Sequence, residues 1–158
     1  MRLPFKKTVA LLFCASIFLL NCKKSSPAAT ASDFSILVSG KWQLTAYSAQ
    51  QPGSSTSIDA YSLLPTCFTD NYYIFNADST LTIDEGATKC DASAPQTAIS
   101  GNWKLLANNT QLSWVESVGG SVDVPTIIQL DNNTLKLQDT TTYNGILVNA
   151  TATLTHIH

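Results

Sequence analysis

From Lys41 onward, apolar and polar residues alternate in short runs. Trp42, Leu44 and Ala46 fall on one face of a strand, with Lys41, Gln43 and Thr45 on the other. Trp103, Leu105 and Ala107 repeat the arrangement. Further runs rich in Thr, Val, Ile, Tyr and Trp place strands at Tyr72 to Asn76, Thr80 to Asp84, Gln111 to Glu116, Val122 to Leu130, Thr134 to Gln138 and Gly145 to Ile157. No stretch after the first thirty residues sustains a helical period. The pattern predicts an all-β domain of about eight antiparallel strands.

Short connections carry turn chemistry: Ala77-Asp78-Ser79, Asn108-Asn109 and Asn132-Asn133. Successive hairpins make a meander, and an up-and-down meander of about eight strands loses its exposed edges by closing into a β-barrel. Period-two alternation then points Phe75, Leu81, Ile83, Leu105, Leu112, Trp114, Ile128, Leu137 and Val148 inward, with Ala150 and Ala152 leaving room for a ligand. The phrase SGKWQL at Ser39 returns as SGNWKL at Ser100, 61 residues later. The neighbouring look-alikes at Ser79 and Asn133 are 54 apart, so no single offset aligns the halves. The phrase is a local device used twice: Gly40 and Gly101 permit a bend or close approach as a strand enters the sheet, and each tryptophan, Trp42 and Trp103, plugs one end of the barrel.

The first residues belong to targeting. Arg2, Lys6 and Lys7 precede an apolar run of about thirteen residues from Thr8 to Leu20, the length of a signal-peptide core. A spanning helix needs about twenty. Leu19-Leu20-Asn21-Cys22 resembles the lipobox of bacterial lipoproteins, with Asn21 where that family usually has a smaller residue. The resemblance implies cleavage after residue 21, a diacylglycerol thioether on Cys22 and a further acyl chain such as palmitate. Two or three chains make a stable anchor. Lys23 and Lys24, with no aspartate after Cys22, resemble the sorting pattern of outer-membrane lipoproteins. Residues 22–35 follow as lipidated cysteine and tether, and residues 36–158 form the single domain. The small residues from Ser25 to Ser32 cannot bury enough surface to offset the entropy of their own ordering.

Beyond the leader, six lysines face eleven acidic residues, a net charge of about −5, and the only arginine is Arg2. That balance excludes nucleic acid as a partner, because it repels phosphate and lacks the guanidinium fork that reads it. Cys14 leaves with the signal and Cys22 is acylated, which leaves Cys67 and Cys90. An even pair in an exported protein is a disulfide.

Gly40-Lys41-Trp42 resembles the GxW signature of lipocalins. In order, SGKWQLTAY, Cys67 before YYIFNADSTLTI, Cys90 in TKCD, SGNWKL with NNTQLSW, and IIQLDNNTLKLQ resemble the lipocalin-like domain of bacterial surface lipoproteins over Val38 to Leu137. The resemblance implies a barrel able to hold small apolar molecules. Lipocalins cover the GxW tryptophan with an arginine near the last strand, and here another residue must take that place. Asp78-Ser79 stands where the family often has Asp-Gly, which strains the turn or changes its type.

Catalytic motifs are missing: there is no GxSxG, HExxH or phosphate-binding glycine loop. His156 and His158 share one strand face, read as a polar chain end in preference to a metal site. Glu85 and Glu116 are the only glutamates and do not form a persuasive glycosidase pair. Asp84, Glu85 and Asp91 solvate a loop, without the DxDxDG order of a calcium site. The expectation is therefore no enzyme, no cofactor and no metal. Two roles remain: a binding module for a small apolar or amphipathic ligand, or a filled barrel that docks to a protein partner through loops such as Ser48 to Thr66. Cavity volume separates them.

Overall fold

Ten strands run β1 Lys41–Gln50, β2 Ser57–Asp59, β3 Tyr72–Phe75, β4 Thr80–Asp84, β5 Thr97–Asn102, β6 Lys104–Leu106, β7 Gln111–Ser113, β8 Thr126–Leu130, β9 Thr134–Tyr143 and β10 Ile146–Ile157. Two short helices, α1 Asp33–Leu37 and α2 Thr66–Thr69, and a 3₁₀ turn at Tyr61–Leu63 complete the elements of the described residues. This computed structural model describes residues 32–143 and 145–158. The signal segment, Cys22 and nearly all of the tether lie outside the described residues.

All strands pair antiparallel in the order β5-β4-β3-β1-β10-β9-β8-β7-β6, with β2 alongside β1. The all-β antiparallel expectation holds, but the sheet has ten strands, not eight, and its hydrogen-bonded path does not close. Both differences have local causes. β2 is a flap on the far half of β1, pairing Ser48 to Asp59 and Gln50 to Ser57. β5 and β6, the two ends of the path, are successive stretches of chain broken at Trp103. Near this break Ser100 is the extra residue of a bulge, since Leu81 pairs with Gly101 and Thr82 with Ile99. Its hydroxyl donates to the Val115 carbonyl at 2.7 Å, a side-chain link where a ladder bond would stand.

Two more bulges explain where strict alternation fails. In β1, Leu44 pairs with Leu154 and Ala46 with Thr153, so Thr45 is the extra residue. Ala46 turns outward, against the expected face, and Tyr47 takes the inward place. In β8, Ile127 pairs with Leu137 and Gln129 with Lys136. Ile128 is the bulged residue and is 47% exposed, which overturns its expected inward position. Ala107 also leaves its expected face: it begins a turn in which Ala107, Asn108 and Asn109 all have positive φ. Ser79 adopts φ 69°, strained for a residue with a Cβ, and the turn is braced by Asp78, whose carboxylate accepts from the Thr80 amide at 2.9 Å and its hydroxyl at 2.7 Å.

The core sits at one end. Trp42 is fully buried and Trp103 is 2% exposed, packed with Phe75, Leu81, Leu112, Leu135, Leu137 and Leu154. Short α1 lies over both tryptophans. The Trp42 indole donates to the Leu37 carbonyl at 3.0 Å, and Phe34 stacks on Trp103 with centroids 5.5 Å apart. Packing against the tryptophans thus extends ahead of residue 36, to Phe34. The Trp103 indole donates to the Asn76 carbonyl, also at 3.0 Å. Both glycines of the repeated phrase sit in close approach. A Cβ on Gly101 would lie 2.8 Å from the Val115 side chain, and one on Gly40 would overlap the His156 ring.

Cys67 and Cys90 are joined in a disulfide, with Cα atoms 5.2 Å apart. It pins α2 to the loop between β4 and β5. Asp70 reinforces the link: one carboxylate oxygen accepts from the Ala87 amide (3.1 Å), the Thr88 amide (2.7 Å) and the Thr88 hydroxyl (2.7 Å). Buried Asn71, its amide nitrogen facing the carbonyls, donates to Cys67 at 3.1 Å and Glu85 at 3.2 Å.

Candidate functional site

Away from the tryptophan end the inner face opens into a cavity with two adjoining lobes. The larger, about 270 Å³, is lined by Leu44, Tyr47, Leu64, Phe68, Tyr73, Trp114, Glu116, Ser117, Ala152 and Leu154. The smaller, about 140 Å³, shares Tyr47, Trp114, Glu116 and Ala152 and adds Asp123, Pro125, Leu137, Asp139, Thr141 and Ala150. Each wall has a cause in the chain. The Thr45 bulge turns Tyr47 inward. The disulfide-bound α2 brings Phe68 to the wall of the larger lobe. Ala150 and Ala152, on the inward face of β10, leave space that longer side chains would fill.

Of the residues expected to line a ligand site, Trp114, Leu137, Ala150 and Ala152 border this cavity. Phe75, Leu81, Ile83 and Leu112 are buried and line neither lobe, and Leu105 is half-buried against the core. Val148 faces a separate cleft of about 270 Å³ between the β2 flap and the end of β9, with Ala49, Ile58, Tyr143 and Ile146. Tyr47, Tyr73, Leu64, Phe68, Glu116, Asp123 and Asp139 were not foreseen as a site. The segment Ser48 to Thr66, expected as a loop, continues β1 to Gln50 and then supplies β2 and the 3₁₀ turn.

Aromatic rings form a continuous column from the core into the cavity. Trp103 meets Phe75 edge to face at 5.3 Å, Phe75 stacks with Trp114 at 6.1 Å, and Trp114 meets Tyr73 at 5.4 Å. The mouth is acidic. Glu116 is exposed as a whole, but crowding of its carboxyl by the wall, and then the neighbouring Asp123, raise its pKa from the ordinary carboxylate value. Burial, then Glu116 and Glu85, push the Tyr73 phenol up to about 12. Burial first, then Glu116 and Asp139, raise Tyr47 as well. Both phenols therefore remain neutral donors at the cavity wall. Asp84 lies elsewhere, accepting from Gln96 at 2.8 Å and pairing with Lys41 at 3.5 Å. Among the described residues no group of three His, Cys, Asp or Glu side chains could hold a metal ion.

His156 is not the polar chain end expected of it. It is 8% exposed within β10, and its ring lies 4.8 Å from that of Trp42. It occupies the covering position over Trp42, where no arginine stands, the one arginine of the sequence being Arg2. One ring nitrogen, Nε2, lies 3.3 Å from the Ser39 hydroxyl, while Nδ1 is buried without a partner. Burial, then His158, push its pKa below 6.5; the Asn132 carbonyl, outside hydrogen-bond geometry, partly opposes this. A lowered folded pKa means the unfolded chain binds the proton more readily. Stability should be full above about pH 6.5 and fall as pH drops from there toward the lowered folded value. Melting temperatures between pH 7.5 and 5 check this, and His156→Gln should flatten the slope. An unchanged slope in the variant would place the titration elsewhere.

A comparison with the curated proteins gives no match. Residues 38–137 match the family described as lipocalin-like domain. That span runs from the end of α1 into β9; β10, which follows it, pairs with β1 from Lys41 to Gln50 and supplies Ala150, Ala152 and the lid of Trp42. With well over half the chain matched and the GxW tryptophan seated beneath a last-strand side chain, the chain belongs to the lipocalin-like domain family.

Proposed function

We propose that this chain is a lipoprotein, anchored through acylated Cys22 in the outer membrane of a cell envelope, whose barrel holds a small apolar or amphipathic ligand. The carrying observation is the open cavity beside Ala152 and Trp114. A barrel serving only as a docking platform would fill that space with side chains. The larger lobe is close to the lower end of small-molecule sites, roughly 300–1,000 Å³. Apolar walls supply affinity, and a lipid anchor would keep the protein beside a source of apolar molecules.

Ala152→Phe tests the binding reading. Titration with an uncharged environment-sensitive dye, followed through Trp114 emission, should saturate with the parent protein and vanish with the variant. Its melting loss should stay below the roughly 1–3 kcal/mol that overpacking a filled core costs. A larger loss, with no dye binding to the parent, supports the docking reading. Anchoring is separate: Cys22→Ser should move the protein from a detergent phase into the aqueous phase, and unchanged partitioning would refute it.

A further inference from the structure

We infer that the occupant of this cavity is a small organic cation, an amine carried on an apolar or aromatic body. The inference rests on the binding role proposed above and names the chemistry of its ligand. The cavity makes the site, and its charges choose among the molecules that fit. Glu116 lines both lobes, and Asp123 and Asp139 line the smaller one. No lysine or histidine lines either lobe. The one ion pair among the described residues, Lys41 with Asp84, involves none of these three acids. A ligand carboxylate would enter beside uncompensated like charge, whereas an ammonium would supply the missing partner.

The aromatic walls favour the same occupant. Tyr47 and Trp114 line both lobes, and Tyr73 and Phe68 the larger, so an ammonium seated near Glu116 also has aromatic side chains around it. Burial is the first cause of the raised pKa values at Glu116, Tyr47 and Tyr73, and neighbouring carboxylates are the second; a bound cation would relieve that second part. The acids are spread around the lobes and do not converge as a metal site would, so they suit a charge carried on a larger body.

Octylamine, octanol and octanoate share one hydrocarbon body and differ in head group. Calorimetric titration of the purified protein should rank them amine, alcohol, carboxylate, with the amine about tenfold tighter than the alcohol at low salt. Glu116→Gln should bring the amine-to-alcohol ratio close to one, and added salt should narrow it in the parent. Because the ratio is taken within each protein, a general loss of fold in the variant would not imitate this result. Octanol or octanoate binding as tightly as the amine would overturn the cation assignment while leaving the cavity's binding role intact. A ratio unmoved by Glu116→Gln would do the same. No binding by any of the three would overturn both.

Discussion

Trp42→Ala should destabilise the domain by about 3–5 kcal/mol, read as a lower denaturant midpoint with little change in slope. Trp42 has no exposed surface, so truncation opens a cavity in the core at the tryptophan end of the sheet. The Leu37 carbonyl would lose the indole hydrogen bond, and His156 would lose the ring it covers. Trp42→Phe, which keeps an aromatic ring and loses the indole donor, should cost much less. Domains of this size hold roughly 5–15 kcal/mol in reserve, so the alanine variant should be partly unfolded at modest temperature. A loss below about 1 kcal/mol would mean that the tryptophan end is not the source of stability.

Strand positions were legible because burial imposes a period of two wherever one face meets the core: Leu81 and Ile83 on β4, and Leu135 and Leu137 on β9, are buried while their neighbours are not. The bulges at Thr45, Ser100 and Ile128 were not legible. A bulge is set by the register of the partner strand, and nothing in the residues around Thr45 distinguishes it from continued alternation. For the same reason the break at Trp103, which leaves the sheet open, could not be read from the Gly101-Asn102-Trp103 sequence alone.

Legibility of the site followed the same division. Ala150, Ala152, Leu137 and Trp114 were in view because they lie on regular strands or their direct extension. Tyr47 was missed through the bulge, and Phe68 because α2 has only four residues and no helical period to show. Cys67 was the available signal for that wall, since a cysteine paired to the β4–β5 loop must carry its neighbour to the same place. His156 sits two residues from the C-terminal residue of the sequence, where composition suggests exposure. Its burial follows from β10 pairing with the first strand right through to Lys41.

Replacing Cys67 and Cys90 together by alanine should lower stability by about 3 kcal/mol while leaving the affinity of the folded protein nearly unchanged. The bridge spans a sequence separation of 23, and most of its contribution comes from restricting the unfolded chain. In the folded state α2 has other ties: Asp70 accepts three hydrogen bonds from the opposing loop, and Gln43 donates to the Thr69 carbonyl at 3.2 Å. These bonds should keep Phe68 on the cavity after the bridge is gone. Thermal melting should therefore fall, and the denaturant slope rise as the unfolded state expands, while dye affinity measured well below the melting point stays within about twofold. If affinity collapsed while melting barely moved, the bridge would be acting on the folded state, as the support that sets Phe68 against the ligand.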